Sequence, residues 1–244
     1  MQRPRILVVG ASGFIGSHVA RELVTRGHPV RATRREQSRL DHLADLDIEW
    51  VHGDLEERRT IDRALEECRG VVHAAGFYPT DGVAIDRARR RGVTHMRHLL
   101  EACRDAQIPR IVYVSSPATL GLGAGPDAVL DEDDFYVSGT VYNAYYESKW
   151  AMEAEAYRYV RDGAPVMMAI PSAVFGPGDV KPTTGRFLTA LARRRLPAVF
   201  DSKMNAVDVR DVARSVANML ERGRPGRRYI LGGVDLSVPE LTEM

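Results

Sequence analysis

The chain has 244 residues, 44% of them hydrophobic and 27% charged, with a formal net charge of +1. This length and balance suit one large α/β domain, or a domain with a small second lobe, and exclude a disordered chain. The near-neutral charge argues against a dedicated nucleic-acid binder, which needs a basic excess to neutralise phosphates. Two cysteines, Cys68 and Cys103, are too few for a disulfide scaffold and lack metal-ligand spacing, so they are expected as buried thiols. No metal site is expected; the run Asp131 to Asp134 is read as a solvated acidic loop, and Arg87, Arg89, Arg90 and Arg91 as a solvated helix face. The first residues lack a signal peptide's apolar core, and no apolar run reaches the length of a membrane span, so a cytoplasmic protein is expected.

Short β-branched runs alternate with longer amphipathic stretches. Ile6–Val9 reads as a buried strand and 13–26 as a helix ended by Gly27. Strands follow at 29–33 and 48–52, a helix at about 60–68, and a strand at 70–74. A long helix covers about 86–106, a strand 110–114, a helix about 141–161, and a strand 166–170. Nearly all-apolar strands separated by helices predict a parallel sheet covered on both faces, doubly wound, with ligands at the carboxyl ends of its strands. Beyond Pro171 glycine and proline cluster, helices are predicted at 186–195 and 208–222, a strand at 228–231, and a helix start at 238–241. The expected organisation is a Rossmann-type dinucleotide-binding domain over 1–170. A small, incomplete substrate lobe over 171–244 is interleaved with the last sheet elements.

The turn Gly10-Ala11-Ser12-Gly13-Phe14-Ile15-Gly16 sits between the first strand and the first helix. Glycines there let the backbone approach a pyrophosphate, and the helix N-terminus offers N–H donors. A glycine trio alone equally suits a ligand-free turn; the flanking strand and helix make it a dinucleotide site. The end of the second strand reads the cofactor's ribose, and here it carries Thr33-Arg34-Arg35 rather than an acidic residue. An arginine fork suits a 2′-phosphate, so NADP(H) is the expected cofactor, with NAD(H) possible.

Tyr145 and Lys149 lie four apart in a predicted helix and so share one face. A tyrosine ordinarily titrates near 10, and a neighbouring ammonium favours its phenolate and brings it toward useful base strength. Tyr-x-x-x-Lys is common by accident; Ser115-Ser116 at the end of the fifth strand, where ligands sit in such sheets, strengthens it.

These motifs together resemble the extended short-chain dehydrogenase/reductases of the epimerase/dehydratase type. Within them the chain is most similar to dihydroflavonol-reductase-like proteins and hopanoid-associated sugar epimerases. Further residues that carry the likeness are Gly53-Asp54-Leu55, His73-Ala74-Ala75, Pro171 through Gly178, Lys181-Pro182-Thr183-Thr184-Gly185-Arg186 and Arg227 through Gly233. The resemblance implies that Tyr145 is the general acid/base, that Lys149 holds the nicotinamide ribose, and that Ser116 meets the substrate oxygen. It implies cofactor contacts from the glycine turn, Arg35, Asp54, Leu55, Ala74 and Ala75, with Pro171, Ala173 and Val174 toward the nicotinamide, and a homodimer through two helices of each copy.

The chain departs from that pattern at two places. Gly92 stands where the family has asparagine, which puts an asparagine-dependent water relay in doubt, and Asp208 replaces a family histidine. Three functions remain open. The first is an NADP(H)-dependent carbonyl reductase or alcohol dehydrogenase. The second is a nucleotide-sugar epimerase or dehydratase that retains its cofactor. The third is a non-catalytic dinucleotide sensor.

Overall fold

The computed structural model describes residues 3–76, 82–125, 128–179 and 203–237. The predicted 186–195 helix, the 181–186 motif and the helix start at 238 lie outside them.

The main sheet uses β1 (Arg5–Val9), β2 (Val30–Arg34), β3 (Ile48–His52), β4 (Cys68–His73), β5 (Ile111–Val114), β6 (Val166–Pro171) and β9 (Arg228–Leu231). Its order is β3-β2-β1-β4-β5-β6-β9, and every neighbouring pair is parallel. The chain therefore winds outward from β1 in one direction and from β4 in the other, leaving a crevice where the order reverses.

Both faces of the sheet are covered. Ile6 and Val8 point to one face, where α1 (Phe14–Thr25) and α5 (Val209–Arg222) pack. Leu7 and Val9 point to the other, against α2 (Arg58–Ala64), α3 (Ile85–Asp105) and α4 (Ala144–Arg161). The alternation of strand side chains and two buried faces explain why these strands read as unbroken apolar runs. In α5, Val212, Ala213, Val216, Ala217 and Leu220 recur at helical spacing and bury one stripe. Leu7 is fully buried, and truncating such a side chain to alanine costs about 2–5 kcal/mol.

Several boundaries differ from the expectation. The second helix ends at Ala64 rather than near Cys68, because Cys68 already pairs with Arg5 as the first residue of β4. The helix expected from Val141 starts at Ala144. Asn143 is its N-cap, and its side chain accepts from the backbone N–H of Tyr145 and Tyr146. Asp208 likewise caps α5 instead of lying within it. A second sheet, unforeseen from the sequence, joins β7 (Ala173–Phe175), β8 (Lys203–Asp208) and β10 (Val234–Ser237) in the order β10-β8-β7.

Two surface readings are corrected. Glu132 of the acidic loop accepts from Ile230 N at 3.0 Å, so that loop is tied to β9 rather than merely solvated. In the basic run, Arg89 pairs with the buried Glu147 and Arg91 binds Glu56 at 2.6 Å. Both cysteines are buried and free.

Candidate active site

The glycine turn leaves β1 and enters α1. Gly10 has φ of +94°, and a Cβ there would lie 2.5 Å from Ala75 N. A Cβ on Gly16 would lie 2.1 Å from Gly10 O. Both positions require glycine because the turn packs on itself and on the end of β4. Gly13 differs: a Cβ there would meet only Gly10 O, at 3.2 Å. Gly13 is also the N-cap of α1 and supplies no side chain to its first N–H groups. The outer side of the turn is thus a helix N-terminus with bare donors and space beside them, which fits a pyrophosphate.

Beside it lies a cavity of about 230 Å³. Gly10, Ser12, Arg34, Arg35, Asp54, Leu55 and Ala75 all line it, as do Ser38, Arg91 and His95. Arg35 is set by a turn in which its N–H donates to Ser38 Oγ at 3.0 Å. The Asp54–Leu55 segment is fixed by Thr60, whose Oγ1 accepts from Asp54 N at 2.8 Å, and by His98, whose Nδ1 lies 2.7 Å from Leu55 O. Glu56 carries that segment onto α3 through Arg91 and through His95, whose Nε2 is 2.9 Å away. Of the other residues foreseen for this site, Phe14 and Ile15 pack against the core at the start of α1, as does Ala74 beyond β4.

Ser116, Tyr145 and Lys149 come together away from that cavity, where β5 ends against α4. Tyr145 Oη donates to Ser116 Oγ at 2.9 Å. Ser116 Oγ also accepts from Ala118 N at 3.2 Å, so the hydroxyl caps a turn and faces the tyrosine at once. Lys149 is buried and reaches Val114 O at 3.4 Å. Burial lowers its pKa to about 8, against the opposing pull of the Glu153 carboxylate. Pro171, Ala173 and Val174 sit on β6 and β7, outside the cavity, and Val174 belongs to the core.

Four further residues shape the site; the sequence names none of them as a site residue, although His73 and Arg228 lie in segments that carry the family likeness. Glu147, between the tyrosine and the lysine, is buried; it accepts from Tyr136 Oη at 2.7 Å, Gly139 N at 2.6 Å, Ser138 Oγ at 3.0 Å and Arg89. Burial pushes its carboxyl up, but these donors outweigh burial and hold it at about 2. Glu153 and Arg228, both buried, face each other at 3.0 Å. Their only local signal was that Glu153 stands four residues after Lys149. His73 is fully buried and stacks on Tyr113 with ring centroids 5.4 Å apart. Burial lowers its pKa to about 3, so it is neutral at physiological pH.

At Gly92, a Cβ would lie 2.8 Å from Met152 Cγ and 2.9 Å from Ser148 Oγ. The glycine is what lets α3 and α4 cross this closely.

A family model described as the NAD dependent epimerase/dehydratase family matches residues 6–232. The chain belongs to the NAD dependent epimerase/dehydratase family. It is 36% identical over 239 residues to a dihydroflavonol 4-reductase-like protein of Synechocystis sp., covering 95% of this chain and 68% of that one. It is 31% identical over 260 residues to cinnamoyl-CoA reductase 1 of Oryza sativa, covering 100% of this chain and 75% of the relative. A solved nucleoside-diphosphate-sugar epimerase of Pseudomonas aeruginosa superposes with a TM-score of 0.83 at 29% identity, over 98% of this chain and 76% of that one. Membership makes the chain an enzyme of a nicotinamide-dinucleotide-dependent family. Among the described residues, no helix is long and apolar enough to cross a membrane.

Proposed function

We propose that this member of the epimerase/dehydratase family is an NADP(H)-dependent oxidoreductase that interconverts a carbonyl and a secondary alcohol, with Tyr145 as its acid/base. The observation that carries the reading is the 2.9 Å hydrogen bond from Tyr145 Oη to Ser116 Oγ, on the helix face that also holds buried Lys149.

In this reading the turn from Gly10 to Gly16 holds the pyrophosphate, and Asp54 and Leu55 flank the adenine. Arg34 and Arg35, with Ser38, meet the 2′-phosphate. Ala74 and Ala75 line the path, and Pro171, Ala173 and Val174 border the nicotinamide end. The nicotinamide supplies or accepts the hydride. Ser116 Oγ holds the substrate oxygen. Tyr145 Oη gives that oxygen its proton in reduction and takes it in oxidation. The Lys149 ammonium stabilises the tyrosinate left behind.

The reductase names of the Synechocystis and rice relatives support this direction. The similarity to a sugar epimerase supports a second reading, in which the same residues act on a nucleotide sugar and the dinucleotide stays bound.

The test is turnover of a carbonyl panel with Tyr145→Phe, alongside calorimetry of NADPH and NADH. Loss of turnover by about 10²–10⁴-fold with dinucleotide binding retained supports the acid/base role. Intact turnover in the variant overturns it. A dinucleotide that co-purifies and is never released during turnover favours the epimerase.

A further inference from the structure

Tyr145, Lys149 and Glu153 stand at four-residue intervals on one face of α4. Each meets one of the three residues 114–116, where β5 ends. Tyr145 bonds Ser116, Glu153 accepts from Ser115 Oγ, and Lys149 reaches Val114 O. Behind them Arg228 of β9 closes on Glu153 at 3.0 Å, with both side chains almost wholly buried. Arg228 is itself held by Thr119 O at 3.0 Å and Glu132 O at 3.1 Å, and it lies over the Phe135 ring.

We propose that Glu153 is a positioning residue that keeps Lys149 an ammonium and locks the end of β5 to α4, with Arg228 holding Glu153 in its carboxylate form. A buried carboxylate without a partner would take up a proton; one facing a buried guanidinium stays ionised. Its negative charge then lies one helical turn from the Lys149 ammonium, in a dry interior where charges act strongly.

Lys149 faces Glu153 on its own helix, His73 of β4, and the ring of Tyr113 of β5 at 5.4 Å. Of these only Glu153 is a counter-charge, since His73 is neutral. Glu153 in turn faces Arg228, Ser115, Thr119, Tyr113 and Tyr157. Burial raises its pKa, and Arg228 leads the groups that oppose the rise. The inference rests on the reading of Lys149 as the group that supports Tyr145, yet the charge coupling can be measured without any reaction.

The chain contains three lysines, Lys149, Lys181 and Lys203. Carbon-13 labelling of lysine Cε therefore gives an NMR titration with three signals in the full-length protein, with no cofactor added. Native Lys149 titrates at about 8. In Glu153→Gln its midpoint falls by about one pH unit or more. Glu153→Asp retains the charge and keeps the midpoint above that of Glu153→Gln. An unmoved midpoint in folded Glu153→Gln, or an equal fall in Glu153→Asp, overturns the proposal. Should Glu153→Gln fail to fold, the pair Glu153→Gln/Arg228→Met removes both charges, a change that buried ion pairs tolerate. The same fall is expected there, and an unmoved midpoint overturns the proposal. Because this readout needs no turnover, its failure is separate from failure of the Tyr145→Phe test.

Discussion

Gly92 of α3 faces Ser148 of α4 so closely that a Cβ on the glycine would lie 2.9 Å from the serine Oγ. The family's asparagine would have to push Met152 or the α4 backbone aside. Gly92→Asn is expected to destabilise the fold by about 1–3 kcal/mol through overpacking. A denaturant melt reads this directly. A variant as stable as the native chain would show that the helices part without cost.

Lys149 bears on pH dependence. Burial lowers its pKa to about 8, so it is an ammonium at neutral pH and loses its proton above about 8. If the ammonium supports Tyr145, kcat/KM holds near neutrality and falls along a basic limb near that value. The stability sign is opposite. The unfolded lysine titrates near 10.4, so between about pH 8 and 10.4 the unfolded chain binds more protons and stability rises with pH. Activity that stays level to pH 10 would remove Lys149 from the mechanism.

Glu147 predicts acid sensitivity. Its carboxyl is held at about 2, against about 4.3 in an unfolded chain. The stability it contributes is complete above about pH 4.3 and is lost as pH falls toward 2. That contribution is on the order of 3 kcal/mol. Glu147→Gln should lower stability at pH 7 by a similar order and flatten the acid limb between those values. Urea midpoints measured from pH 2 to 7 test it, and parallel curves for the two proteins would contradict it.

Arg35 tests cofactor choice. Removing one charge-assisted bond to a phosphate costs about 1.5–3 kcal/mol, or roughly 10–100-fold in affinity. Arg35→Ala should weaken NADPH by that factor and leave NADH unchanged in calorimetry. Equal losses for both dinucleotides would place Arg35 outside the 2′-phosphate pocket.

The sequence was informative where physics is local. Ile6–Val9 could be read because a strand buried on both faces must be apolar at every position. Tyr145 and Lys149 could be paired because a helix turns every 3.6 residues. The glycine turn could be placed because an apolar strand leads into it and a helix leaves it, and Gly16 answers to Gly10 O within the same turn. What escaped depended on distant partners. Glu153 and Glu147 carry no local mark of their pairings, because their partners Arg228 and Arg89 lie far away in the sequence. The strands of the second sheet are short, β7 having three residues and β10 four, too few for alternation to stand out from chance. The Ala64–Cys68 boundary was set by the pairing of Cys68 with Arg5, which no local window contains.

Among the described residues the main sheet ends at β9, and Ile230 of that strand turns its N–H outward from β6. Glu132, in a loop that also carries Asp131, Asp133 and Asp134, caps that donor with a carboxylate. A strand from another chain that tried to add here would find that donor already taken. The Glu132 contact thus blunts the rim of the sheet at this residue, a task separate from catalysis.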